Sequence, residues 1–173
     1  MNNDVNEFPD ALINVTDLLE QECRICEKLL EMSRSKTELI VNGSIKELDK
    51  TINTEQRNVR LLEKLESKRG SMMLAIAQQN GIDIQDVTLS YLISIAEGAL
   101  KDRLEKIYDS LGQNTVEQKY LNELNSKLIN NNLEFINFSL NAISGAGPAG
   151  NTYDKVGQSP EKHLDTNLFD KKI

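Results

Sequence analysis

Cys23 and Cys26 are the chain's only two thiols, and His163 is its single histidine. A C-x-x-C pair does redox work when a helix N-terminus lowers the thiol pKa. Here the pair sits inside an amphipathic run from Leu18 to Leu30. A zinc site needs two more ligands, and His163 lies far down the chain. The spacing therefore predicts plain thiols filling an apolar interior. Further on, Gly145-Ala146-Gly147-Pro148-Ala149-Gly150 spells G-x-G-x-x-G. A dinucleotide loop needs a strand before it, a helix after it and an acidic residue ~20 positions later. This one follows a helical pattern and contains Pro148, so it reads as a hinge even though Asp170 stands at about the right distance. Neither motif predicts a catalytic residue, a metal site or a cofactor.

The composition agrees. The 173 residues carry 27 acidic against 20 basic side chains, a net charge of −7, and lack tryptophan. An acidic chain of this kind is not expected to bind nucleic acid, whose phosphates demand a positive footprint, nor to be drawn to anionic lipid. The length suits one domain. No run approaches the roughly 18–20 apolar residues of a membrane span. Met1-Asn2-Asn3-Asp4-Val5-Asn6-Glu7 lacks the pattern of a signal peptide, so a cytoplasmic location without membrane insertion is expected. Nine glycines and three prolines leave little material for turns, which implies long regular elements.

Those elements are helices. From Pro9 to Val41, Leu12, Val15, Leu19, Cys26, Leu29, Leu30 and Ile40 share one side, and Leu18, Ile25, Met32 and Leu39 widen it. At ~100° per residue the face covers about half the circumference, which calls for more than one neighbour. Asn42-Gly43 ends the segment with a left-handed C-cap, and Ser44-Ile45-Lys46-Glu47 fits a capping box for the next helix. That helix carries a heptad seam from Ile45 to Ile76, interrupted by Glu55, Glu66 and Arg69, and closes at Asn80-Gly81. The short turn makes the first two helices an antiparallel hairpin. Residues 82–96 predict a short connector helix from about Thr88, capped by Asp86 or Thr88, over the hairpin's open end. A last long helix is expected from about Glu97 to Ser144, with a candidate kink at Gly112-Gln113-Asn114. The expected fold is all-α: a coiled-coil-like bundle of three to four helices over residues 1–144. Residues 145–173 read as a flexible tail, too polar to stay ordered alone.

Three features of the bundle carry information about partners. Leu100, Leu104, Ile107 and Leu111 form a stripe that fits the hairpin, roughly continued by Ile129, Ile136, Leu140 and Ile143. A second stripe, Leu121, Leu124, Leu128, Phe135 and Phe138, is centred well away from the first. It is either core against an early helix or the exposed wall of a partner groove; the spacing leaves both open. Glu55, Glu66 and Arg69 mark either buried polar recognition or a stretch of seam facing water. The cost of burying an unpaired carboxylate favours water. Asn125, Asn130, Asn131 and Asn132 each have the chemistry to bond a partner backbone, and most are expected on the solvated side.

Taken in order, a long helix, Val41-Asn42-Gly43-Ser44-Ile45-Lys46-Glu47-Leu48, and Leu61-Leu62-Glu63-Lys64-Leu65-Glu66-Ser67-Lys68-Arg69 lead to Leu121-Asn122-Glu123-Leu124-Asn125-Ser126-Lys127-Leu128 and Leu133-Glu134-Phe135. The tail then offers Tyr153-Asp154-Lys155-Val156-Gly157, a Y-x-x-x-G element. Over nearly its whole length the chain resembles the FlgN family of flagellar export chaperones. The departure is an extension from Ser159-Pro160-Glu161 through Phe169, to which the resemblance assigns no role.

The resemblance implies a cytoplasmic chaperone that binds the C-terminal helical region of the hook-associated (hook–filament junction) proteins. It would prevent their premature assembly and deliver them to the flagellar type III export gate. On that reading Leu121, Leu124, Leu128, Phe135 and Phe138 form the substrate-binding wall, while Tyr153 and Gly157 carry docking at the gate. The competing reading is a self-associating coiled-coil scaffold, with the second stripe as its seam. A weak homodimer of the free chain is compatible with either.

Overall fold

The two helices of the hairpin end where glycine permits a left-handed residue. The structure, a computed structural model, describes residues 4–144, with side chains from residue 10 onward. Its elements are α1 (Asp4–Val41), α2 (Ile45–Asn80), a single 3₁₀ turn (Ile84–Asp86), α3 (Leu89–Ile95) and α4 (Gly98–Ile143). No strand occurs among the described residues, and the fold is an all-α bundle. Contacts group the chain into two units, Met1–Glu134 and Phe135–Ile173. The expected tail, 145–173, lies outside the described residues.

α1 starts at Asp4, ahead of Pro9, where the sequence pattern had placed it. It ends in a Schellman turn: Ser44 N–H donates to the Leu39 carbonyl at 2.9 Å and Gly43 N–H to the Ile40 carbonyl at 3.2 Å, with Gly43 at φ +65°. The predicted capping box at Ser44 does not form, because its side chain caps nothing and its backbone, at φ −81° and ψ 68°, is outside the extended region that a cap requires. One residue cannot close the first helix and open the second with both geometries. The predicted hairpin stands regardless, with α1 and α2 packed side by side.

Gly81, also at φ +65°, ends α2. Asp83 then caps the 3₁₀ turn, accepting from Gln85 N–H at 2.9 Å. Thr88 caps α3, accepting from Tyr91 N–H at 3.1 Å, so of the two predicted caps it is Thr88 that serves. The connector does pack on the hairpin's end. Leu92 of α3 is fully buried in a cluster with Leu12, Val15 and Leu19 of α1, Met73 and Ile76 of α2, and Leu104 and Ile107 of α4. Each fully buried aliphatic side chain there contributes roughly 1.5–3 kcal/mol. Below it, Leu18, Ile25 and Leu65 form a second cluster between α1 and α2. α4 runs through Gly112 without a break in the helix.

α1 and α4 run parallel, and polar side chains line much of the seam between them. Arg103 bridges to Glu20 and Asp17 at 2.7 and 2.6 Å, and Arg34 pairs with Glu117 at 2.6 Å. Gln118 Nε2 donates to Ser33 Oγ at 2.6 Å. Asn125 is buried; its Nδ2 donates to the Ser33 carbonyl at 2.9 Å while its Oδ1 accepts from the Thr37 hydroxyl at 2.7 Å. Seven residues on, Asn132 Nδ2 donates to the Ile40 carbonyl at 3.3 Å. Ser33 and Ile40 are likewise seven apart, so the two amides step along α1 in one register. Asn130 and Asn131 face solvent, as expected.

The interrupted seam of α2 is a second correction. Glu55 does not simply face water: its carboxylate accepts from Lys36 Nζ of α1 at 2.6 Å, and both side chains are largely covered. Arg69 reaches back to the buried Glu22 at 3.0 Å. Only Glu66 is solvated, at 65% side-chain exposure. The heptad positions are polar because α1 supplies opposite charges across from them. Asn125→Ala removes both amide contacts at a buried site. It is expected to cost about 1–3 kcal/mol in urea unfolding, against no measurable change for Asn131→Ala.

Candidate functional site

The second stripe of α4 divides along its length. In the first unit Leu121 is buried at 8% exposure, and Leu124 and Leu128 are half-buried. Leu121 is thus part of the protein's own interior. In the second unit Phe135 and Phe138 are exposed at 69% and 66%. The described part of that unit is the end of α4, and its sequence from Phe135 is Phe-Ile-Asn-Phe-Ser-Leu-Asn-Ala-Ile. Six of those nine residues are apolar, and at ~100° per residue they span roughly 200° of the circumference, with Asn137 and Asn141 on the opposite side. Ile136, Leu140 and Ile143 are also exposed, so the stripe expected to fit the hairpin does not extend to them as core. Sequence reasoning sorted these residues into two faces and so missed them as one exposed surface. The signal was present in the local apolar density. An exposed apolar face this broad gains from being covered.

The cysteines are free, with Cys23 buried and Cys26 half-buried. Cys23 Sγ donates to Ser110 Oγ at 3.2 Å. Burial first, then neighbouring Cys23, Glu22 and Glu27, push the Cys26 thiol above its usual range, the opposite of what a redox motif needs. Among the described residues no cluster of His, Cys, Asp and Glu has the makings of a metal site. Nor is any helix there long and apolar enough to cross a membrane. Tyr153, Gly157, His163 and the glycine-rich hinge lie outside the described residues.

A model of the family described as "FlgN protein" matches residues 11–161. The chain belongs to the FlgN family. It is similar, at 30% identity over 161 residues, to the uncharacterized protein YvyG of Bacillus subtilis (strain 168), covering 90% of this chain and 96% of that protein. No solved structure matches. FlgN proteins are flagellar export chaperones, not a family of enzymes, and membership implies binding of flagellar hook-associated proteins.

Within the first unit, two carboxylates two residues apart on α1 are tuned in opposite directions. The hydrogen bond from Arg103 holds Glu20 below its ordinary value of 4.5, whereas burial raises Glu22 above it despite Arg69. A raised folded pKa means that the native state binds the proton more tightly than the unfolded chain. Glu22 therefore contributes stability that is present below pH 4.5 and is lost as pH rises through its folded pKa. Glu20 contributes above pH 4.5 and loses that contribution as acid protonates it. In urea titrations across pH 4 to 7, wild type is expected to lose ground against Glu22→Gln as pH rises. Against Glu20→Gln it is expected to gain. Parallel pH profiles for all three proteins would refute the assignment.

Proposed function

We propose that this FlgN-family chaperone shelters the C-terminal helical region of hook-associated junction proteins in the cytoplasm and passes them to the flagellar export gate. The single observation that supports the site is the exposed end of α4, with Phe135 and Phe138 as its largest side chains. Junction proteins assemble through amphipathic terminal helices, which would associate prematurely if left free. Such a helix and the end of α4 present the same need, apolar surface in water, and pairing them removes both exposures. In the first unit, Leu124 and Leu128 are half-buried and remain candidate contacts of their own, whereas Leu121 is interior. Handover requires an interface of moderate size rather than an obligate one.

In this reading residues 145–173, which lie outside the described residues, carry the contact with the gate. Tyr153 supplies an aromatic anchor and Gly157 a close approach.

Two measurements test the reading. Titrating the full chain with a synthetic C-terminal segment of a junction protein is expected to give a one-to-one complex. Phe135→Asp with Phe138→Asp should weaken it at least 100-fold, since two buried aromatic anchors are worth roughly 2 kcal/mol or more each. Both side chains are exposed in the free protein, so helicity and unfolding midpoint should not change. Undiminished affinity in the double variant would remove the site. Separately, Tyr153→Ala should leave segment binding intact and reduce junction-protein secretion by flagellated cells. A stable dimer or tetramer that ignores the segment in light scattering would instead support the scaffold reading.

A further inference from the structure

Gly112 is a glycine that nothing inside the protein calls for. It lies mid-helix in α4, where the helix is continuous, and a methyl group on it would meet nothing within 4 Å. Glycine is disfavoured in a helix interior, and what it offers there is close approach by another backbone. The face around it looks outward. At ~100° per residue, Lys101, Glu105, Tyr108, Val116, Lys119 and Glu123 all fall within about 40° of Gly112, and all are exposed. Tyr108 and Val116 leave 53% and 73% of their surface open. Beside them, the missing side chain leaves a hollow of about 640 Å³ bordered by Val116 and Tyr120.

The order of residues along this face says what fits it. Tyr108 and Val116 stand four residues either side of Gly112, Glu105 and Lys119 seven, and Lys101 and Glu123 eleven. Each step outward sets a residue against its complement: ring against aliphatic, acid against base, base against acid. A second copy of the helix, laid antiparallel with the two glycines crossing, therefore meets opposite charge at all four charged positions. Laid parallel and in register, it meets like charge at all four, and charge pairing of this kind sets helix orientation. None of these four side chains is in an ion pair among the described residues. The pairing also obeys two-fold symmetry, since Glu105 meets the partner's Lys119 wherever Lys119 meets the partner's Glu105.

We propose that this face is a self-association surface, through which two copies of the chain pair antiparallel on α4 about Gly112. The seam from Lys101 to Glu123 is about 33 Å long, and a helix is about 10 Å across. That footprint falls well short of the roughly 1,200–2,000 Å² buried in stable complexes, so the dimer is weak and reversible. The face lies roughly 150° around α4 from Leu121, Leu124 and Leu128. It is thus separate from the second stripe, and the inference does not depend on the guest-binding reading.

Sedimentation equilibrium of the full chain, carried up to millimolar concentration, tests it. Wild type is expected to show a monomer–dimer equilibrium. Glu105→Lys sets like charge against Lys119 in both symmetry-related contacts and should weaken the dimer about tenfold. Lys119→Glu should do the same by opposing two acids. An equimolar mixture of the two variants restores opposite charge in both contacts, so a heterodimer of near wild-type affinity is expected. Both positions are exposed, and helicity should not change. A wild type that stays monomeric at millimolar concentration overturns the proposal. So does a dimer that Glu105→Lys leaves undiminished, or a pair of variants that fail to associate when mixed.

Discussion

Side-chain hydrogen bonds hold the distal half of α4 on α1, at places where a helical bundle more often uses aliphatic contacts. Gln118, Asn125 and Asn132 occupy that seam, and their partners are Ser33 and the Ser33 and Ile40 carbonyls. A buried amide tolerates only one register, because a shift of one turn leaves it unpaired in a dry interface. With polar groups committed to the seam, Leu124 and Leu128 are left half-covered, and the chain spends its aliphatic packing at the other end, around Leu92 and Leu104. The aliphatic core is thus concentrated at one end of residues 1–134.

The hairpin shows the same economy in its charges. Lys36–Glu55 and Arg69–Glu22 cross between α1 and α2 at heptad positions, so the two helices recognise each other in one alignment. Such pairs add little net stability, since desolvation offsets attraction. The rise in the Glu22 pKa expresses that offset directly. What they supply is specificity between two long amphipathic helices that could otherwise slide by a heptad.

Much of this was legible in the sequence where the cause is local. Asn-Gly at 42–43 and at 80–81 ended two helices because only a residue free to adopt positive φ closes them. The breadth of the apolar face on α1 announced two neighbours. Ser44 misled because a capping box is written in four residues, whereas the Schellman turn that overrode it depends on the helix before. Asn125 could not be told from Asn130 and Asn131, since their difference lies in which way α4 faces α1. Glu55 and Arg69 were opaque for the same reason: their partners, Lys36 and Glu22, sit on another helix, 19 and 47 residues away in sequence. The two stripes of α4 were drawn from pattern alone, and pattern does not say where a neighbour stops. Along one stripe Leu121 is interior while Phe138 is open.

The account turns on α4 ending in apolar surface that another protein covers. Amide hydrogen exchange at Phe135–Ile143, measured on the full chain with and without a junction protein's C-terminal segment, addresses this directly. These amides should exchange far faster than those at Leu104–Ile107 in the free protein and slow by at least an order of magnitude in the complex. Protection equal to that of Leu104–Ile107 before any partner is added, and unchanged afterward, would contradict it.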